Sequence, residues 1–225
     1  MQKVIPAYEA TGPDVEVSVA VDKPMAMLTA AQEPQETPGV VITTGAKEME
    51  TLVAAGAVLS KDVRAIAVNT YPIVVVAAAD AVPELKTVQD LANPAVKTIY
   101  LEDPAKSSMG ARAVEGLQQL GLWDAISAKV VQPHPNAMVL GDLIDRKADA
   151  AIVFRDCLFG ESGGNPPKTV RIVGEIPQGD LPPIGYQAGV LANAPGREIG
   201  QAFVDFLASA QGKEALREAG LTPPQ

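Results

Sequence analysis

At 225 residues and 47% hydrophobic content, the chain is long enough to enclose one sizeable core or two smaller ones. Its formal net charge of −9 speaks against nucleic acid as a partner, whose binding rests on Lys and Arg neutralising phosphates, but not against a small anion held by backbone dipoles. One cysteine (Cys157) excludes an internal disulfide, one histidine (His134) without a thiol cluster speaks against structural zinc, and no apolar run reaches membrane-spanning length.

In chain order, Met1 to Ala10 reads as a short helix with Val4, Ile5 and Tyr8 turned inward, ended by Thr11-Gly12-Pro13. Val15 to Val21 alternates and predicts a strand. The loop Asp22-Lys23-Pro24 and a helix from Met25 to Ala31 follow, then a polar loop to Gly39. Val40-Val41-Ile42, continuous rather than alternating, predicts a buried strand of a parallel sheet. Thr43-Thr44-Gly45 leads into a helix from Lys47 to Ala55. Thr43 and Thr44 read either as ligand hydroxyls or as caps of that helix. Val63 to Val68 and Ile73 to Ala78 predict two strands, and Asp80 to Glu84 a crossover between lobes.

The most informative stretch runs from Lys97 to Asp124. A short apolar strand, Thr98 to Leu101, turns through Asp103-Pro104-Ala105-Lys106 into a helix with Val114, Leu117 and Leu120 at helical spacing and Gly121 as its stop. Ser107 and Ser108 stand at the helix start, and Gly110 would let a ligand approach the backbone. A strand feeding a serine-bearing helix N-terminus offers outward N–H groups and a favourable dipole to an anion. The competing reading is that Ser107 or Ser108 only caps the helix.

Further on, Pro133-His134-Pro135 predicts a turn, with Asn136 as a cap for the helix carrying Val139, Leu140, Leu143 and Ile144. Ala150 to Phe154 predicts a buried strand whose exit, Arg155-Asp156-Cys157, faces the same edge as Ser108. Glu161 to Lys168 reads as a surface loop and Thr169 to Glu175 as a strand. Leu181-Pro182-Pro183 introduces a strand through Tyr186 that returns to the first lobe, and helices at Arg197–Ala208 and Gln211–Ala219 end the chain. Strands alternating with helices predict an α/β protein with mostly parallel sheets. Such sheets bind ligands at the carboxyl ends of their strands, here Thr43-Thr44, Ser107 to Gly110, Val153 to Arg155, and Tyr186.

Several stretches, in order, resemble the periplasmic molybdate/tungstate-binding proteins of ABC transporters. Ile42-Thr43-Thr44 with Lys47 and Met49 resembles the family's "FISA…KxM", and Asp103-Pro104, Gly110, Ala113, Leu117 and Leu120 to Asp124 resemble its middle. Lys147 to Phe154 resembles "GEADAGIVY", Ile184 to Leu191 "IVYPVAVL", and Phe203 to Leu207 the C-terminal "FLDFL" helix. The resemblance implies an α/β, two-lobed periplasmic-binding-protein-like fold (type II) with the ligand cleft between lobes. Lobe one would take 1–79 plus 188–225 and lobe two 80–187, with a hinge at Ala78–Asp80 and Tyr186–Ala188.

It also implies an extracytoplasmic solute-binding protein that hands a tetrahedral oxyanion, molybdate or tungstate, to an ABC transporter membrane permease. No catalysis, cofactor, metal ligand, nucleic acid or direct membrane insertion is expected. Met1 to Gly12 lacks the apolar core of a secretion signal, so the resemblance favours an exported protein whose leader has been removed over a cytoplasmic one. The family's anion contacts are backbone N–H groups, serine hydroxyls and one tyrosine hydroxyl, and carried over by position Met109, Val153 and Tyr186 match. The expected serine loops do not match: Asp22-Lys23-Pro24 occupies one, and the other lies on a strand that would precede Met1. Arg155 would favour a carboxylate or a differently held oxyanion, or would pair with Asp156 or Glu161. The alternative function is a ligand-sensing or effector module, or a solute-binding protein for another anion or small carboxylate with oxyanion binding lost. Cys157 and His134 lack the third orienting group of a thiolate–imidazole pair.

Overall fold

The computed structural model describes residues 3–12, 16–20, 39–81, 84–134, 138–158 and 167–224. The chain forms two compact units. Unit 1 is Met1–Thr70 with Pro183–Gln225, and unit 2 is Tyr71–Pro182.

Unit 1 is built on a three-stranded sheet of order β1-β8-β2, from β1 (Val40–Thr44), β2 (Arg64–Asn69) and β8 (Ile184–Val190). β8 lies between β1 and β2 and is antiparallel to both. One face is covered by α1 (Val4–Glu9), α6 (Arg197–Ala208) and α7 (Ala210–Glu218), where Val4, Ile66, Val190, Val204, Leu207 and Leu216 form a buried cluster. Tyr8 stacks edge-on against Phe203 at 4.8 Å between ring centroids, a favourable aromatic geometry. The other face is covered by α2 (Ala46–Ala54), through Met49 and Leu52 against Val41, Val58 and Leu191.

Unit 2 carries a five-stranded sheet of order β5-β4-β6-β3-β7, from β3 (Ile73–Ala78), β4 (Ile99–Tyr100), β5 (Val130–Val131), β6 (Ala150–Phe154) and β7 (Val170–Ile176). Every residue of β3 is buried, as its unbroken Ile-Val-Val-Val-Ala-Ala run requires. Helix α3 (Ser108–Gln119) and the short α4 (Trp123–Ile126) pack on one face through Met109, Ala113, Leu117 and Ile126. Helix α5 (Val139–Ile144) packs on the other through Leu143.

Four expectations are corrected. The sheets are mixed rather than mostly parallel: among the described residues only β4–β5 and β4–β6 are parallel, because the returning β8 inserts antiparallel in unit 1 and β3 is antiparallel to β6 and β7. The division falls at Thr70/Tyr71 and Pro182/Pro183, not at 79/80 and 187/188. β3 hydrogen-bonds to β6 and β7, which fixes it in unit 2, so Asp80–Glu84 does not cross between units. β1 is alternately buried instead of continuously so, since its two faces meet different helices. Residues 16–20, within the strand expected at Val15–Val21, carry no ladder. The expected loop and helix at 22–31, the Asn136 cap and most of the 161–168 loop lie outside the described residues.

Candidate functional site

In unit 2, β4 and β6 are parallel neighbours, so their carboxyl ends leave the same sheet edge. β4 runs out through Glu102 and a turn in which Asp103 accepts from Ala105, Lys106 and Ser107 N–H groups, and α3 begins at once. Ser107 is the N-cap: its hydroxyl accepts from Gly110 N at 3.2 Å, as serine does when it satisfies an opening amide. The same hydroxyl donates its one proton to Glu102 Oε2 at 2.5 Å. Ser107 is buried and is therefore a cap with both roles taken rather than a donor awaiting a ligand.

Gly110 is required for a different reason than ligand approach. A Cβ there would lie 2.3 Å from the carbonyl oxygen of Glu102, so the chain's own backbone fills the space. Met109 turns its side chain into the core at 5% exposure and leaves only its amide, in the first turn of α3, for recognition. Ser108 stands half-buried beside it.

The β6 exit is built differently from the expectation. Arg155 N–H donates to Pro72 O, and the register places Val74 opposite Val153. Alternate pairs of an antiparallel ladder share hydrogen-bonding character, so Val153 N–H is spent on β3. It is Phe154 whose amide turns the other way, beyond Tyr100, where the β4 ladder has ended. That amide meets the thiol of Cys157, in the 3₁₀ turn Arg155–Leu158. Desolvation pushes the Cys157 thiol up, and the charges of Glu102 and Asp156 add to this against the opposing amides of Cys157 and Phe154. A thiol held protonated is the opposite of what nucleophilic catalysis needs. Arg155 is exposed, and among the described residues it makes no ion pair with Asp156.

Glu102 was not singled out in the sequence, yet it is the charged group closest to the capping hydroxyl. An anion about 4 Å from its carboxylate would be repelled by about 4 kcal/mol at an effective dielectric near 20. The signal that could have found it is an acidic residue between a strand end and a helix-opening serine, where the dipole favours negative charge.

In unit 1, Thr44 pairs with Tyr186 and Thr43 with Gln187. Side chains alternate along a strand, so Thr44 and Tyr186 share the α6/α7 face while Thr43 turns toward α2. Thr43 is 4% exposed, and its hydroxyl donates to Gly45 O at 2.9 Å. Neither threonine caps α2. The N-cap is Gly45, with φ 115° and no side-chain cap bond, a conformation that disfavours any residue with a Cβ.

The eight candidate residues thus fall into two sets: Thr43, Thr44 and Tyr186 in unit 1, and Ser107, Ser108, Met109, Val153 and Arg155 in unit 2. Among the described residues, no group of three or more His, Cys, Asp or Glu side chains could hold a metal ion. No helix there is long and apolar enough to cross a membrane.

Two α/β units, each with strand ends feeding helix starts, make up the described fold. The chain belongs to the family of bacterial extracellular solute-binding proteins, which it matches over residues 1–222. It is 28% identical over 125 residues to YvgL of Bacillus subtilis, named as an ABC transporter substrate-binding lipoprotein; the match covers 55% of this chain and 45% of YvgL. It is 26% identical over 120 residues to the molybdate-binding protein ModA of Escherichia coli, covering 53% of this chain and 44% of ModA. These matches therefore span less than half the length of either relative. The periplasmic molybdate-binding protein of Azotobacter vinelandii has a similar fold, with TM-score 0.62 and 17% identity over 100% of this chain and 94% of that one. This likeness establishes the type II periplasmic-binding-protein fold. The family and these relatives are solute-binding proteins, not enzymes.

Proposed function

We propose that the protein is the extracytoplasmic capture component of an ABC importer, with a membrane permease as partner and a tetrahedral oxyanion, molybdate or tungstate, as solute. The observation that supports this reading is the meeting of the α3 first turn and the β6 exit at one sheet edge, in a chain whose family match spans residues 1–222. The candidate donor in unit 2 is the Met109 amide, with Ser108 beside it; in unit 1 the Tyr186 hydroxyl, opposite Thr44, is a candidate of its own. Val153 is not among them, because its amide belongs to the β3 ladder. Neutral donors suit such an anion, since a hydrogen bond to a charged group contributes about 1.5–3 kcal/mol and shape rather than counter-charge sets selectivity.

A thermal-shift panel of molybdate, tungstate, sulfate, phosphate and simple carboxylates tests this. A ligand that binds only the folded chain stabilises it by about 2.7 kcal/mol at a hundredfold excess over Kd. Molybdate and tungstate are expected to give the largest shifts. A second reading, an effector module for a small carboxylate, is favoured by the exposed Arg155. If only carboxylates raise the melt and Arg155→Ala abolishes that rise, the second reading replaces the first.

A further inference from the structure

At both places where the chain passes from one unit to the other, the outermost residue of unit 2 has its carbonyl oxygen held by a side chain of unit 2. Tyr71 O, at the first passage, accepts from Gln178 Nε2, and Pro182 O, at the second, accepts from Arg112 Nη2 at 2.6 Å. On the unit 1 side, Asn69 at the end of β2 and Ile184 at the start of β8 are register partners. Between ladder and held carbonyl, each passage therefore keeps a single residue, Thr70 in the first and Pro183 in the second, and both are exposed. We propose that Arg112 and Gln178 are positioning residues that clamp both passages to unit 2 and confine their bending to Thr70 and Pro183.

The return segment, residues 177–182, has neither helix nor strand and is mostly exposed, the kind of segment that ordinarily moves. Here one stripe of α3 holds it along its length. A Cβ at Gly116 would lie 2.7 Å from Pro177 O, a Cβ at Gly179 would lie 3.2 Å from Gln119 Oε1, and Arg112 takes Pro182 O. The Arg112 side chain is only 11% exposed, and its Nη1 is buried with no acceptor among the described residues. An orphaned buried donor costs stability, which opposes what the Pro182 bond contributes. The clamp is thus poorly explained as a stabilising contact and well explained as one that fixes a conformation. Freedom withheld from the unliganded chain is freedom that a solute need not remove on binding, which is how pre-organisation raises affinity. Only this last step rests on the oxyanion reading above.

Hydrogen exchange and isothermal titration with molybdate test the clamps on wild type, Arg112→Met, Gln178→Leu, the double variant and Arg112→Lys, circular dichroism checking that each folds. Arg112→Met is expected to speed exchange of the Gln178 to Leu181 amides roughly tenfold or more with the α3 amides unchanged, and Gln178→Leu to do the same at Tyr71. Arg112→Lys keeps a donor for Pro182 O and is expected to restore wild-type exchange to within about threefold. The double variant is expected to bind molybdate about tenfold more weakly than wild type. Unchanged exchange in both single variants overturns the clamps and leaves the oxyanion reading standing. Faster exchange with unchanged molybdate affinity overturns their positioning role. Failure of wild type to bind molybdate overturns the oxyanion reading, and the exchange rates still decide the clamps.

Discussion

Thr44 and Tyr186 stand directly opposite each other on β1 and β8, while Thr43, one residue earlier, turns to the other face. Opposed positions place Cβ atoms roughly 5 Å apart, so these two hydroxyl-bearing side chains share a surface without being neighbours in sequence. Tyr186→Phe keeps the ring in its place beside the α6/α7 cluster and removes only the hydroxyl. The fold should be retained, and oxyanion affinity should fall about tenfold or more, as loss of one hydrogen bond to a charged group implies. Titration calorimetry measures this; unchanged affinity removes Tyr186 from the donor set.

Met109 separates side chain from backbone. Its side chain fills the core beside Ala113 and Leu117, so Met109→Ala should cost about 2–5 kcal/mol of unit 2 stability through a cavity. Met109→Leu, which conserves volume, should cost less than about 1.5 kcal/mol and leave ligand affinity intact, because only the amide is offered to a ligand. Denaturant unfolding followed by titration tests both halves of the statement.

Gly110→Ala should destabilise unit 2 by about 1–3 kcal/mol, since the new Cβ would press on the rigid Glu102 carbonyl rather than on a flexible side chain. Differential scanning calorimetry should show a lowered transition even without ligand. A wild-type melt would mean that the β4–α3 turn relaxes freely.

Asp90 carries a pH prediction. Its carboxylate accepts from the Lys86 and Thr87 amides, and these bonds hold its pKa below the ordinary value. A depressed folded pKa means that the contribution to stability is present above the unfolded pKa and is lost as pH falls through the folded one. An NMR titration of the Asp90 carboxyl carbon should therefore show a midpoint below 3.8, and Asp90→Asn should flatten the acid limb of the stability profile. A midpoint at or above 3.8 contradicts the capping geometry.

Much of the fold was legible in the chain. Val40 to Ile42, Ile73 to Ala78 and Ala150 to Phe154 are apolar runs whose composition admits little but a strand, and they lie in β1, β3 and β6. The turn at Asp103, the Ser107 start and the Gly121 stop delimit α3, because caps and positive-φ positions are local chemistry. The family resemblance was legible for the same reason: it is carried by short contiguous motifs.

What only the tertiary structure decided is pairing. That β8 inserts between β1 and β2, that Thr44 rather than Thr43 joins Tyr186, and that the Val153 amide is consumed by β3 are facts of register. A shift of one residue reverses the last two, and a different strand order the first, without changing the local pattern that predicts each strand. The Ser107–Glu102 bond is of the same kind. Composition places a carboxylate five residues before a cap, but only the fold of the intervening turn brings its oxygen to 2.5 Å from the hydroxyl.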